Sequence, residues 1–201
     1  MSIPFQVISD VFRDKMGNIW FLYNTEGLAK IDYITKKTTL IKHIPGDSNS
    51  IYSYNISDIV SDNINNIWII HQNGVLEKMN ERTGKIIYRN YTLKANDPLT
   101  YNLFVDLDND IWIQSDKPDG LYYFNTSNNQ LLNITKESQH WKLNNNNVRC
   151  IEQDNKGILW IGTDHGGINL LDKKKNDVRY LINNPSDETE CVMLIILKDS
   201  P

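Results

Sequence analysis

A tryptophan returns along this chain at a nearly constant interval. Trp20, Trp68, Trp112 and Trp160 stand 48, 44 and 48 residues apart. A period of roughly 40–50 residues marks a repeated supersecondary unit that stacks on its neighbours. The surroundings repeat as well. An aspartate precedes each tryptophan by six residues (Asp14, Asp62, Asp106, Asp154), and Gly17, Asn65, Asn109 or Gly157 precedes it by three. Glycine and asparagine accept the positive φ of a tight turn. Apolar residues flank each indole, and a glycine–aliphatic pair follows six to eight residues later: Gly27-Leu28, Gly74-Val75, Gly120-Leu121, Gly167-Ile168.

Each unit predicts four short strands: an apolar run before the aspartate, a second strand through the tryptophan, a third opened by the glycine–aliphatic pair, and a fourth after a polar turn. Period-2 patterning, β-branched and aromatic residues, and turn residues every 8–12 positions point to antiparallel sheet. No segment sustains a 3.6-residue period, so essentially no helix is expected. Four-stranded antiparallel units repeated about a ring are the blades of a β-propeller. The expected fold is therefore all-β, with blades at about 5–47, 54–94, 101–137 and 147–184. Val192 to Asp199 repeats the register of Val7 to Asp14, so residues 190–201 are expected to be the first strand of a fifth blade. The next tryptophan would fall at position 205, beyond Pro201, which reads as a partial propeller cut from a longer protein.

The net charge of -4 argues against nucleic acid, which needs a basic face. The one dense basic run, Lys173-Lys174-Lys175, reads as a solvated turn. No stretch approaches the ~20 apolar residues of a membrane-spanning helix, and the start lacks the basic and apolar regions of a signal peptide. Cys150 and Cys191 form neither a disulfide framework nor a metal spacing, and read as small buried hydrophobes. Asp106-Leu107-Asp108-Asn109-Asp110 resembles the start of a calcium loop. Ile111 stands where that loop needs glycine and Lys117 where it needs an acid, so the segment reads as a turn of the third blade. His43, His71, His140 and His165 have no zinc spacing. No metal, cofactor or catalytic motif is expected.

The fourth unit, Ile151 to Ile168, carries Asp154, the turn Gly157, the run Leu159-Trp160-Ile161-Gly162-Thr163 and then Gly167-Ile168. It resembles the two-component regulator propeller repeat, and the other three units match it more loosely. The resemblance implies the periplasmic sensor region of a hybrid two-component histidine kinase, with propellers ahead of a further β-domain, a membrane helix and the kinase. None of those downstream parts lies in this sequence.

Propeller ligands tend to bind where the loops between second and third strands meet the loops joining blades. Here those are Asn24-Thr25-Glu26, His71-Gln72-Asn73, Ser115 to Asp119 and Thr163-Asp164-His165, with joining loops Gly46 to Tyr54, Ala95 to Tyr101, Ser138 to Asn147 and Asn183 to Glu190. Ligand-binding candidates are Trp141, His140, His165, Asp164, His71, Asp116 and Asp119. Trp141 lies outside the repeat register; its flat face could stack on a sugar or pack over the edge of its blade. The repeated tryptophans are expected between blades, the repeated aspartates on turn amides, and Gly27, Gly74, Gly120 and Gly167 in backbone roles.

Three functions remain open from the residues. The first is a sensing module for an oligosaccharide; the second a structural or protein-binding propeller. The third is part of a lyase or hydrolase with His140, His165 and Asp164 as acid–base groups. At about 46 residues per blade, a seven- or eight-bladed ring needs well over 300 residues. Open blade edges pair readily, so a homodimer is expected; no nucleic-acid or membrane contact is.

Overall fold

The computed structural model describes residues 8–23 and 27–181. Among them are sixteen strands and no helix. They form four four-stranded sheets in which strands adjacent in sequence are adjacent in space. The first sheet contains β1 (Ile8–Arg13), β2 (Ile19–Tyr23), β3 (Gly27–Ile31) and β4 (Thr38–Ile41); the second β5 (Ile56–Ser61), β6 (Asn66–His71), β7 (Leu76–Asn80) and β8 (Lys85–Asn90). The third contains β9 (Tyr101–Val105), β10 (Ile111–Ser115), β11 (Leu121–Asn125) and β12 (Gln130–Ile134); the fourth β13 (Val148–Gln153), β14 (Ile158–Thr163), β15 (Gly167–Asp172) and β16 (Asp177–Leu181). These are the four antiparallel blades that the repeat predicts. The fifth-blade strand, Cys191, Asn24-Thr25-Glu26 and the loop Asn183 to Glu190 lie outside the described residues. The chain packs as two compact units, residues 1–105 and 106–201.

One device closes the first hairpin of every blade. In blade 1, Asp14 Oδ1 accepts the Met16 and Asn18 amides at 3.0 and 2.9 Å, while Oδ2 accepts the Trp20 indole N–H at 2.8 Å. Asp62 takes the Ile64 and Asn66 amides (3.0 and 2.8 Å) and Trp68 (3.3 Å). Asp106 takes those of Asp108 and Asp110 (2.9 and 3.0 Å) and Trp112 (2.9 Å). Asp154 takes those of Lys156 and Ile158 (both 2.9 Å) and Trp160 (3.1 Å). The six-residue spacing therefore has a single cause: one carboxylate satisfies the turn and the buried indole together. Gly17, Asn65, Asn109 and Gly157 all have positive φ, between 63 and 87°.

In unit one, Trp20 is wholly buried among Leu22, Leu28, Ile41, Ile51, Ile59, Ile67, Ile69, Met79 and Ile86 of the first two blades. Burying such side chains is the main favourable term of folding, at about 1.5–3 kcal/mol each. Polar contacts fix how the two blades meet. Glu81 Oε1 accepts the Asn18 side-chain amide at 2.9 Å and pairs with Lys30 at 2.8 Å. Blade 2 meets β9 in the same manner: the Asp58 carboxylate accepts the Leu103 amide at 2.7 Å, and Ser57 Oγ accepts the Tyr101 amide at 2.6 Å.

Blade 2 departs from expectation at its third strand, which begins at Leu76 rather than Gly74. Gly74 is held in a tight turn, donating to the His71 carbonyl at 2.8 Å with φ of 80°. A Cβ there would stand 2.2 Å from the Leu93 carbonyl oxygen.

In unit two, Lys173 is the first residue after β15, the place that Glu81 holds after β7. The expectation of a solvated basic turn is wrong for this residue. Its side chain is only 11% exposed, and its ammonium lies 2.6, 3.1 and 2.7 Å from the carboxylates of Asp106, Asp108 and Asp110. Burial alone would depress the Lys173 amine, but the bonds to Asp106 and Asp110 outweigh it and hold the group above its ordinary range. The acidic turn that resembles a calcium loop thus faces a lysine. Lys175 does remain exposed, paired with Asp172 at 3.0 Å.

Trp68 and Trp112 are buried like Trp20, whereas Trp160 is half-buried. Among the described residues no later blade covers it.

Candidate functional site

In blade 2, the polar groups converge at the end opposite the aspartate turn. His71, at the end of β6, and Glu77, in β7, are both fully buried. His71 Nε2 lies 2.7 Å from Glu77 Oε2, and His71 Nδ1 lies 3.1 Å from Ser53 Oγ. Arg89, on β8, donates through Nε to Glu77 Oε1 at 2.5 Å and through Nη2 to the Ser50 carbonyl at 2.7 Å. The Tyr52 amide gives Glu77 Oε2 another bond at 3.0 Å. A buried carboxylate persists only with such partners. His71 is therefore corrected as a ligand-contacting candidate: it has no exposed surface, and both its ring nitrogens are engaged.

Above this chain of groups lies an open groove of about 290 Å³, lined by His43, Asp47, Ile51, Tyr52, Arg89 and Tyr91 among others. The Tyr52 ring meets His71 edge-on at 5.7 Å and Tyr91 at 6.0 Å. Lys94 Nζ stands 5.4 and 5.8 Å from the centroids of Tyr52 and Tyr91, and the Arg89 guanidinium 5.7 Å from that of Tyr52. The hydrogen bond from Lys94 lowers the Tyr52 phenol pKa and raises that of Lys94 itself. Tyr91 is 50% exposed. His43 is fixed by Nδ1 on the Ile51 carbonyl at 2.8 Å.

The other candidates lie apart. In blade 4, Asp164 Oδ2 accepts Arg149 Nη2 at 2.8 Å and Asn147 Nδ2 at 2.9 Å, and its Oδ1 lies 2.9 Å from His165 Nδ1. The Arg149 bond, ahead of the other causes, keeps the Asp164 carboxyl below the usual range. His165 is exposed and has φ of 56°. Trp141 lies half-buried, 6.0 Å from the Trp112 ring and 5.2 Å from that of Tyr123. Its indole N–H is buried without a hydrogen-bond partner, and its φ of 52° is strained for a bulky residue. His140 is exposed. Asp119 accepts Ser115 Oγ at 2.6 Å and the Tyr122 hydroxyl at 2.9 Å, while Asp116 is exposed. No group of three or more acidic, histidine or cysteine residues among the described residues is arranged to hold a metal ion.

The sequence reading missed Tyr52, Tyr91, Arg89, Lys94 and Glu77. Only Tyr52 lay in a loop singled out by the blade topology. Arg89 reaches Glu77 from twelve residues away on another strand, a pairing that no local motif announces.

Residues 142–165 match the two component regulator propeller family. No curated protein matches the chain by sequence. Among solved structures, the chain is similar to the extracellular domain of a hybrid two component system from B. thetaiotaomicron, with TM-score 0.66 and 20% identity over 89% of this chain and 24% of that one. A second such domain from the same organism gives TM-score 0.63 and 16% identity, covering 86% of this chain and 24% of the other. Virginiamycin B lyase from Staphylococcus aureus gives TM-score 0.61 and 14% identity, covering 92% and 59%. The chain thus spans about a quarter of the extracellular domains it matches, and identities this low establish the fold alone. At residues 142–165, within a fold of four β-propeller blades, the chain matches the two component regulator propeller model.

Proposed function

We propose that this chain is part of an extracytoplasmic sensor propeller, belonging to a hybrid two-component histidine kinase that responds to oligosaccharides. The observation that carries this is the family match at residues 142–165, in a blade whose Asp–Trp register recurs in the other three. The likeness to extracellular domains of two component systems supports the compartment, which for the parent protein would be the periplasm. A sensor needs a site where the ligand favours one of two arrangements, not a site for chemistry. Exposed faces at the blade edges favour pairing with a second copy. Titration calorimetry with a panel of plant and host oligosaccharides tests the sensing role: heat without turnover is expected, and product formation refutes it. Light scattering tests the homodimer, which a monomer at high concentration would exclude.

A second reading, part of a propeller lyase, draws on Asp164 and His165. The exposed imidazole held by a carboxylate is a recognisable acid–base pair. Among the structural neighbours is a histidine-to-alanine virginiamycin B lyase described as catalytically inactive. Here Arg149 competes for the same carboxylate, which favours a structural role for Asp164.

A further inference from the structure

We infer that the groove at the rim of blade 2, lined by Tyr52, Tyr91 and Arg89 and flanked by Lys94 beside both tyrosine rings, binds the carboxylate-bearing ring of an acidic saccharide. The inference rests on the sensing role for its choice of a sugar, but the site stands on its own geometry.

The first support is shape. At about 290 Å³ the groove sits at the small end of ligand pockets, which suits a single ring-sized group. Tyr52 and Tyr91 line it at nearly right angles, with an interplanar angle of 76°. Half of Tyr91 faces solvent. An aromatic face is electron-rich and attracts the polarised C–H bonds on the flat side of a pyranose.

The second support is charge. Arg89 is neutralised by buried Glu77. Lys94 is different: among the described residues it pairs with no carboxylate, and its contacts are the two tyrosines. Asp47 is the only acid lining the groove, and its Oδ1 is committed to the Asn49 amide at 2.8 Å. A ligand carboxylate arriving over Tyr91 would therefore find an ammonium without an anionic partner. Charge-assisted bonds of this kind are the strong ones.

The third support is rigidity. Glu77 accepts from Arg89 and the Tyr52 amide, and His71 bonds to Glu77 and Ser53, so the rear wall is fixed before any ligand arrives. A preorganised wall spares the ligand the cost of ordering it.

The test uses the full chain, with trigalacturonate and its methyl-esterified form as probes in titration calorimetry. The acid should bind, and the ester at least about tenfold more weakly, the loss expected for one charge-assisted bond. Lys94→Ala and Tyr91→Ala, both surface changes, should each weaken the acid by about tenfold or more. Lys117→Ala, an exposed lysine on another loop, should not. Equal binding of acid and ester, affinity unmoved by the two groove variants, or no binding of either probe would each overturn the site. A neutral oligosaccharide that binds unaffected by Lys94→Ala would overturn it while leaving the sensing role intact. Turnover of a bound probe would refute sensing without bearing on the groove.

Discussion

Removing the Lys173 ammonium would strand carboxylates in the interior of unit two. Asp106 has no exposed side-chain surface and Asp110 has 8%, and both lie within 2.7 Å of Nζ. Breaking a buried, hydrogen-bonded ion pair costs about 3–5 kcal/mol, chiefly because the remaining charge is left without compensation. At about 2–4 °C per kcal/mol for a chain of this size, Lys173→Ala should lower the melting temperature by roughly 6–20 °C. Asp110 keeps the Tyr123 hydroxyl at 2.5 Å and the Thr126 amide at 2.9 Å, which draws the estimate toward its lower half. Adding Asp110→Asn removes one stranded charge and should recover part of the loss. Thermal unfolding followed by circular dichroism measures all three proteins. A drop below about 3 °C in Lys173→Ala, roughly 1 kcal/mol, would show that the carboxylates are solvated and refute the reasoning. The pH dependence follows from the two shifts. Burial raises the Asp110 carboxyl, but the Lys173 bond outweighs it and the net pKa is lowered. Its contribution is present above the unfolded value of about 3.9 and lost as pH falls through the folded one. The Lys173 pKa is raised, so its contribution is full below about 10.4 and lost as pH rises through the higher folded value.

Asp58 should behave in the opposite sense to Asp110. Burial pushes its carboxyl up to about 6 against bonds from Leu103 and Ile59 that pull it down. A raised carboxyl makes folding stability decline with rising pH between about 4 and 6, by on the order of 3 kcal/mol in total; melting curves across that range should show a slope that Asp58→Asn abolishes. Gly74→Ala should cost far more than Gly46→Ala. Both glycines have positive φ, but a Cβ at Gly46 meets nothing within 4 Å, whereas at Gly74 it meets the Leu93 carbonyl oxygen. The Gly46 change should stay near the ~1–2 kcal/mol of the left-handed conformation, and urea unfolding separates the two. Trp20→Phe, which removes a fully buried indole and its bond to Asp14, should destabilise by about 2–4 kcal/mol. Trp160→Phe, half-buried, should cost visibly less in the same assay.

The blades were legible in the sequence because their hairpins are closed by local chemistry. Asp14 and Trp20 are six residues apart, and their amide and indole bonds span one turn, so a fixed spacing is what the geometry leaves behind. The contacts that join blades leave no such trace. Asp58 meets Leu103 across 45 residues, and Glu81 meets Asn18 across 63. Periodicity says that such positions face a neighbour but not which atom they find there. The same limit hid the candidate groove, whose tyrosines and cations come from a joining loop, a fourth strand and the turn after it. Lys173 shows the reverse error: a run of three lysines reads as solvent-facing until three carboxylates from another blade are seen around the first of them.

Glu81 and Lys173 occupy one place in their blades with opposite charge, and each is matched to what it touches. Glu81 faces an amide and an ammonium; Lys173 faces three carboxylates. If blade 4 docked where blade 2 belongs, Lys173 would meet Lys30 as well as Asp14, with Asn18 in place of Asp110. If blade 2 docked where blade 4 belongs, Glu81 would meet Asp106 and Asp110. Chains of similar repeats are prone to mispairing during folding, and like charges in these half-dry seams penalise the wrong partner. The turn after the third strand thus carries a charge suited to its own seam, and exchanging blades 2 and 4 would set Glu81 against two buried carboxylates.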